Sequence, residues 1–256
     1  MAKPFVNPFV SGQFLELRVD ALVSDGRGLG RHDGVVVLVE DALPGQLVRA
    51  RVAAVRKSLA EAALVEVLER SPDEQEPPCP HAGRCGGCSW QSLAYGRQLA
   101  WKERIVHDAL ERVGKVACPP ILPILPSPSE WGYRNKMEFA FGVSGDGGKA
   151  LGLRERGSRN IVEVTGCLLQ TPLTMRVLEA VRMLSNGAFH DLDGRFLVVR
   201  EPNAGGCFVE LIVGAGGSLE AGERFAEALR AETPEVTGFA LSERLAPSDV
   251  AYGERA

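Results

Sequence analysis

Three cysteines lie within ten residues of this sequence, close enough together to bind one metal centre. Cys79, Cys85 and Cys88 follow the pattern C-x5-C-x2-C, and two glycines separate the last pair. Glycine permits the sharp backbone turns that direct neighbouring sulfurs toward one centre. Clustered thiolates bind zinc or an iron–sulfur cluster, and this spacing by itself is compatible with both. The sequence therefore predicts a soft-metal site in this loop.

The composition places these cysteines in a soluble, intracellular protein. The chain has 256 residues, of which 45% are hydrophobic and 24% are charged, as in an ordinary globular protein with one large or two smaller domains. It has no apolar run long enough for a membrane span, and its first residues lack the apolar core of a secretory signal. We therefore expect a cytoplasmic location, where clustered cysteines bind metal in preference to forming three disulfides.

The charge is distributed unevenly along the chain. The net charge is −4, yet residues 79–160 carry twelve basic and seven acidic side chains. A local excess of positive charge suits a phosphate backbone. A solvated surface of mixed charge is the alternative, and the charge pattern alone does not separate the two.

The first seventy residues have the pattern of a small β-barrel. Short segments of alternating apolar and polar residues are separated by turn signals, which is typical of compact barrels. The predicted strands are 14–24, 34–40, 47–55 and 62–68. Asp25–Arg31 is predicted to be a glycine-rich connection, and Leu43–Gln46 has the Pro-Gly order of a type II turn. Residues 71–78, acidic and rich in proline, are predicted to be a linker.

Beyond the cysteines the pattern becomes a mixture of helices and strands. Residues 92–113 have helical spacing of apolar side chains, and residues 117–129 are too rich in proline for a regular helix. Tyr133–Gly142 alternates as a strand that pairs back with 151–155. The remaining predicted elements are a helix at 172–184, a hairpin of 195–201 with 207–213, a helix at 219–231 and a strand at 236–242. The fold class is therefore α+β with more than one domain.

Several of these segments resemble one known family. Residues 10–70 are similar to a TRAM domain, an OB-like RNA-binding β-barrel. The cysteine run, followed by Trp90-Gln-Ser-Leu and Gln98-Leu-Ala-Trp-Lys, resembles the iron–sulfur segment of the RNA uracil-5-methyltransferases. Tyr133-Arg-Asn-Lys-Met-Glu-Phe139 resembles another string of that family. The likeness extends over almost the whole chain and is greatest for the branch that methylates 23S ribosomal RNA.

The resemblance implies a ligand set and a cofactor. Val162-Glu-Val-Thr-Gly-Cys167 resembles the place where the family has its fourth cluster ligand. Cys79, Cys85, Cys88 and Cys167 would then hold a 4Fe–4S cluster that braces the RNA-binding surface, since methyl transfer to uracil needs no electron transfer. Structural zinc remains the alternative, with His81 as a lower-ranked ligand.

The resemblance also implies a division into domains. The expected parts are a TRAM β-barrel at 1–72, an iron–sulfur loop at 73–92, a helix at 93–116 and a central RNA-binding mixed α/β domain at 117–256. In the family the helix packs on a C-terminal Rossmann-like domain, which we expect to be absent. Leu99, Ile105, Val106 and Leu110 would then form an exposed apolar stripe, making this chain prone to aggregation, whereas the full-length enzyme would be a monomer.

The family's reaction would take place in that C-terminal domain. There a cysteine attacks C6 of uracil, S-adenosylmethionine methylates C5, and a base removes the C5 proton. This sequence has no strand followed by a G-x-G-x-x-G loop, since Leu219 takes the place of the third glycine after Val213. We therefore predict no catalytic or S-adenosylmethionine-binding residue here, and whether the chain is an enzyme stays open. The alternative function is a stand-alone, non-catalytic iron–sulfur or zinc RNA-binding module.

Basic residues near these motifs are the predicted RNA contacts. Arg134 and Lys136 share one strand face, where two cations can bind successive phosphates, although a solvated outer face has the same pattern. The other candidates are Arg156 in the following hairpin, Arg84 in the cysteine loop, and Arg27 and Arg31 in the first turn of the barrel. Tyr133, Phe139 and Phe141 can stack on bases, but their shared apolar face favours core packing. Cys118 and Cys207 have no neighbouring cysteine, and Cys207 is predicted to be a small buried hydrophobe.

Overall fold

A computed structural model describes residues 7–116, 120–214, 218–245 and 250–253. The chain divides into two compact units. Unit 1 comprises Met1–Pro80 and Cys88–Pro128, and unit 2 comprises His81–Gly87 and Ser129–Ala256. Among the helices of the described residues, none combines the length and hydrophobicity needed to cross a membrane.

Unit 1 contains a closed five-stranded barrel. The strand order is β1-β2-β3-β5-β4, in which β3 and β5 run parallel and the other pairs are antiparallel. The strands are β1 (Phe14–Leu22), β2 (Gly28–His32), β3 (Val35–Glu40), β4 (Leu47–Val55) and β5 (Leu59–Glu69). Alternate side chains of β1 are buried, as its sequence pattern predicts, and closure of the sheet leaves no open edge. The four predicted strands are confirmed.

The predicted glycine-rich connection is wrong at its second half, because Gly28–His32 forms strand β2. Its glycines are needed for close packing inside the small barrel. A Cβ on Gly30 would lie 2.3 Å from the Arg18 carbonyl oxygen, and one on Gly28 would lie 2.7 Å from the Ala42 carbonyl oxygen. Arg31 consequently lies in a strand and not in the first turn, which corrects its predicted location.

Replacing Gly30 with alanine is expected to destabilise the barrel by about 2 kcal/mol or more, since the clash is with backbone and not with a flexible side chain. Gly96→Ala is the matched control. Gly96 lies in a helix where an added methyl group would meet no atom within 4 Å, so alanine there should be neutral or stabilising by up to about 1 kcal/mol. Urea unfolding measures both changes, and equal stability of the two variants would contradict the packing explanation.

The acidic segment after β5 is held against the barrel, although its composition predicts a linker. The Ser71 hydroxyl donates to the Pro44 carbonyl oxygen at 2.6 Å. The buried Gln46 side chain donates to the Glu74 carboxylate at 2.8 Å and accepts from the Leu43 backbone N–H at 2.8 Å. Gly45 has a φ of 91°, which agrees with the predicted Pro-Gly turn. Polar contacts therefore hold this segment on the barrel. Such contacts leave no periodic pattern in the sequence, so the composition alone predicts a linker.

The predicted helix of unit 1 is confirmed as α1 (Tyr95–Asp108), which continues into a π-helical turn at Ala109–Val113. Trp101 is buried with Leu22, Leu43 and Leu93, so the helix packs on the barrel of its own unit. The predicted apolar stripe is exposed only in part. Val106 and Leu110 are exposed, whereas Leu99 and Ile105 are half-buried.

Unit 2 is a six-stranded mixed sheet in the order β11-β10-β9-β6-β7-β8. Its strands are β6 (Lys136–Val143), β7 (Lys149–Arg154), β8 (Ile161–Val162), β9 (Gly194–Arg200), β10 (Cys207–Val213) and β11 (Val236–Glu243). Helices α2 (Pro172–Asn186) and α3 (Leu219–Glu232) begin at the capping side chains of Thr171 and Ser218. The predicted hairpins and helices are confirmed.

One face of this sheet packs on the two helices. Phe139 of β6 and Leu197 of β9 are fully buried there, together with Val177 of α2 and Phe225 of α3. Burial of this apolar surface is the main stabilisation of unit 2. The predicted α+β class is therefore observed as a barrel unit followed by a sheet with helices.

Candidate functional site

The cysteine loop of unit 2 lies along the β7–β8 hairpin. Backbone hydrogen bonds fix its position on both sides of Cys85, which forms an isolated antiparallel bridge with Glu155. The two bonds are Gly86 N–H to the Arg154 carbonyl oxygen at 3.0 Å and Arg156 N–H to the Arg84 carbonyl oxygen at 2.8 Å. The hairpin thus holds the backbone of the loop by ladder-type hydrogen bonds, as an added strand would be held.

His81 connects this loop to the segment that precedes Cys167. Its Nε2 accepts a hydrogen bond from the Thr165 backbone N–H at 3.1 Å and lies 3.3 Å from the Thr165 hydroxyl. An acceptor nitrogen carries no proton, so the tautomer has its proton on Nδ1. While this bond exists, Nε2 has no lone pair for zinc, which counts against the alternative in which His81 ligates through that atom.

His81→Ala is expected to release the Thr165 amide, because the imidazole is its acceptor. Native-state hydrogen exchange should show faster exchange at Thr165 and at Gly86, by roughly 5- to 10-fold for the loss of about 1 kcal/mol. His190→Ala, at an exposed histidine elsewhere in unit 2, is the control and should leave both amides unchanged. Unchanged exchange in the His81 variant would mean that the loop is held by the hairpin alone.

The cysteines differ in their surroundings. Cys79, Cys85, Cys88 and Cys167 are partly exposed, and the Gly87 backbone N–H lies 3.4 Å from Cys85 Sγ as a donor. Cys207 is fully buried in the core of unit 2, where burial raises the pKa of its thiol to about 11. Its prediction as a small buried hydrophobe is confirmed. Cys118 lies outside the described residues.

The four candidate ligands are divided between the two units. Cys79 and Cys88 belong to unit 1, and Cys85 and Cys167 belong to unit 2. Within the part of the chain that the structure describes, no group of three or more His, Cys, Asp or Glu side chains is arranged to hold a metal ion. Four accessible thiols nevertheless have the donor chemistry of a 4Fe–4S or tetrathiolate zinc site. The four cysteines therefore have the donor atoms that either site needs.

In unit 2 the predicted RNA contacts lie beside Cys85 and at the start of β6. Arg84 of the cysteine loop and Arg156 of the hairpin are joined by a backbone hydrogen bond next to Cys85. Arg134 is half-buried, and its backbone N–H donates to the Leu169 carbonyl oxygen at 3.0 Å. Lys136 begins β6, where its ammonium lies 2.5 Å from a Glu138 carboxylate oxygen and is partly neutralised.

Arg27 and Arg31 of the barrel differ in availability. Arg27 donates from Nε and Nη2 to Asp25 at 2.9 and 2.7 Å. This pairing lowers the pKa of Asp25 and raises the pKa of Arg27, chiefly through the side-chain hydrogen bond, so the guanidinium charge is already matched. Arg31 is exposed on β2. Arg31 is thus the better placed of the two for a phosphate.

The aromatic residues of the family-like string do not share one environment. Phe139 is fully buried and Phe141 packs against the same core, as predicted. Tyr133 is 57% exposed, so its prediction as a core residue is wrong. Sequence reasoning missed Arg200 and Phe208, which are exposed on the neighbouring strands β9 and β10. The available signals were the spacing of Phe208 two residues from Glu210 in β10 and the position of Arg200 at the end of β9.

Comparison with known proteins agrees with the barrel geometry. Residues 8–65 match the TRAM domain family. This TRAM domain corresponds to the five-stranded barrel of unit 1. The predicted TRAM barrel is therefore confirmed.

The relatives of the chain are RNA methyltransferases. A protein of Nitratidesulfovibrio vulgaris named as an uncharacterized RNA methyltransferase is 46% identical over 96% of this chain and 55% of its own length. The 23S rRNA (uracil(1939)-C(5))-methyltransferase RlmD of Acidithiobacillus ferrooxidans is 37% identical over 72% of this chain and 41% of its own length. The chain thus spans about half the length, or less, of these curated relatives.

A solved structure has the same fold. The tRNA (uracil-54, C5)-methyltransferase of Pyrococcus abyssi, in complex with S-adenosyl-L-homocysteine, aligns with a TM-score of 0.64 over 93% of this chain and 54% of that chain. The sequences are 22% identical, so the likeness concerns the fold alone.

Proposed function

We propose that this chain is the RNA-recognition and iron–sulfur portion of an S-adenosylmethionine-dependent RNA uracil-5-methyltransferase acting on 23S ribosomal RNA. One observation carries the proposal: the 46% identity to a protein named as an RNA methyltransferase extends over 96% of the chain. The TRAM barrel and the relative named as a 23S rRNA uracil methyltransferase support the substrate. The partner is therefore RNA, and the expected location is the cytoplasm.

Both units of the chain carry basic side chains that could bind RNA. The barrel exposes Arg31, the cysteine loop exposes Arg84, and the hairpin of unit 2 carries the half-buried Arg156, the last two beside Cys85. Positive side chains held by regular backbone bind phosphates, and they fix the register of an RNA without reading its sequence. S-adenosylmethionine would supply the methyl group in the complete enzyme, and no residue described here is assigned to it.

The proposed ligands of a 4Fe–4S cluster are Cys79, Cys85, Cys88 and Cys167. Their accessibility and the N–H donor beside Cys85 Sγ suit thiolates. The cluster would join the cysteine loop to the chain near Cys167 and thereby brace the RNA-binding surface, with no part in the methyl transfer. Zinc on the same thiols is the second candidate, because the ligand spacing accommodates both.

Equilibrium binding to transcripts of 23S and 16S ribosomal RNA tests the proposed substrate. We expect preference for 23S rRNA, with an affinity that falls as salt rises because phosphate contacts release counterions. A DNA duplex of similar length is the control for non-specific charge attraction. Equal affinity for all three nucleic acids, or no binding to RNA at low salt, would overturn the proposal.

The alternative of a stand-alone binding module needs a different measurement. Incubation with radiolabelled S-adenosylmethionine and unmodified 23S rRNA reports methyl transfer directly. Binding without transfer is the result expected of an RNA-recognition portion. Methyl transfer to C5 of uracil by the chain itself would show that the chain is catalytic and not only an RNA-recognition portion.

A further inference from the structure

A row of three side chains crosses the sheet face of unit 2 that does not pack on the helices. Lys136 of β6 lies opposite Arg200 of β9, and Arg200 lies opposite Phe208 of β10. Directly opposed residues in adjacent strands point to the same side of a sheet, about 5 Å apart. Their neighbours Met137, Val199 and Val209 point to the helix side and form the core. Two cations and one aromatic ring therefore stand side by side.

The aromatic member of the row is open to solvent. Phe208 is 39% exposed, which is unusual for a phenylalanine in the middle region of a six-stranded sheet. A Cβ on Gly238 would lie 2.7 Å from Phe208 Cδ2, so the absence of a side chain at Gly238 lets the ring rest against β11. The ring thus has support on one side and accessible surface on the other.

The cationic member beside it is available for a ligand. Arg200 is exposed, and its guanidinium has no hydrogen bond or ion pair with any other residue that the structure describes. Lys136 is held by Glu138 at 2.5 Å and would have to exchange that partner for a phosphate. Arg200 is therefore the principal cation of the row.

Two acidic residues lie next to this row on the same face of the sheet. The adjacent row on the same face contains Glu138 opposite Val198, and Val198 opposite Glu210. Glu210 accepts from the Ser242 hydroxyl at 2.7 Å. Like charge disfavours a phosphate over these carboxylates, so a nucleic acid strand would follow the Lys136–Arg200–Phe208 row and not the strand direction.

We propose that this row binds an unpaired nucleotide of the RNA, with its base stacked on Phe208 and its phosphate on Arg200. An exposed ring with a neighbouring guanidinium provides the two contacts that single-stranded RNA needs, a π-face and a positive charge. A duplex hides its base faces and offers only phosphates. The inference rests on the proposed RNA-recognition function and specifies which RNA element this surface takes.

The test uses the full chain, a short fluorescein-labelled oligouridylate and an RNA duplex of the same length. Phe208→Ala should weaken binding to the single strand by about 10-fold and leave its salt dependence unchanged, because a stacked base is lost and no charge is removed. Phe208→Tyr should bind like the unaltered chain, and Phe208→Leu should behave like alanine. Binding of the duplex should not respond to any of the three changes.

Arg200→Ala should weaken oligouridylate binding and reduce the slope of log affinity against log salt by about one, as expected for one lost phosphate contact. Arg224→Ala and Met183→Ala are matched controls, since both residues are exposed on the helices at the other side of the sheet. Neither should change affinity. The melting temperature of each variant confirms that the sheet remains folded.

The possible failures are distinguishable. If the unaltered chain binds oligouridylate and the Phe208 and Arg200 variants bind it equally well, this row does not bind the nucleotide. The proposed RNA recognition would then still stand. If the unaltered chain binds neither oligouridylate nor ribosomal RNA, the proposed function itself fails. If Phe208→Leu binds as tightly as Phe208→Tyr, the ring contributes no stacking and the inference is overturned.

Discussion

Cys85→Ser is expected to abolish iron–sulfur incorporation, leaving less than about one tenth of the iron and sulfide of the unaltered chain after anaerobic reconstitution. Serine preserves the size of the side chain but replaces the soft thiolate that iron–sulfur clusters require. The hairpin fixes Cys85 more firmly than a surface loop would, through the Arg154 and Arg84 carbonyl bonds. Iron and acid-labile sulfide analysis measures the loss.

Cys207→Ala is the matched control for this experiment. Cys207 is buried in the core of unit 2, and its thiol stays protonated because burial raises its pKa to about 11. The alanine variant should keep the full iron and sulfide content. Full retention in Cys85→Ser would remove that residue from the ligand set. Zinc in place of iron, at one per chain and without sulfide, would replace the cluster by a structural zinc site.

Phe139→Ala is expected to lower the free energy of unfolding of unit 2 by about 3–5 kcal/mol, the usual cost of removing a fully buried phenylalanine from a core. Phe139 lies in β6, opposite Leu197 of β9, and is fully buried in the main cluster of unit 2. Much of the stability of a typical domain would be lost. Hydrogen exchange of amides in β6 and β9 reports this unit separately from the barrel.

Phe14→Ala is the control of the same residue type. Phe14 is 60% exposed on the barrel, so its truncation should change stability by less than about 0.5 kcal/mol. A similar loss for both variants would contradict the assignment of Phe139 to the core. A small loss for Phe139→Ala would do the same, and would mean that the helices cover the sheet less closely than described.

Local sequence patterns predicted most strands of unit 2. The alternation of residues 133–142 predicted β6, because side chains in a half-buried strand alternate between two faces. The apolar segments around 197 and 211 predicted β9 and β10, in which side chains on both faces are buried. Strand β2 was missed because Gly28 and Gly30 remove the apolar signal while satisfying a packing need that only the closed barrel creates.

Only those parts of the candidate site whose residues are close together in the sequence could be predicted. The C-x5-C-x2-C spacing indicated the cysteine loop directly, but its attachment to 154–156 depends on backbone hydrogen bonds that no residue type encodes. Its attachment to Thr165 depends on the His81 side chain, whose partner lies 84 residues away in the sequence. Arg200 and Phe208 become neighbours of Lys136 through strand register. Register is set by the whole sheet, so the row appears only when β6, β9 and β10 are assembled.

Cross-linking of the chain to 23S ribosomal RNA, followed by identification of the linked peptides, tests whether this chain recognises RNA. We expect cross-links in the loop 81–87, at the start of β6 and at Phe208, and we expect unlabelled 23S rRNA, but not a DNA duplex, to compete them away. Cross-links confined to the helices α2 and α3, or equal competition by DNA, would contradict the assignment of this chain to RNA recognition.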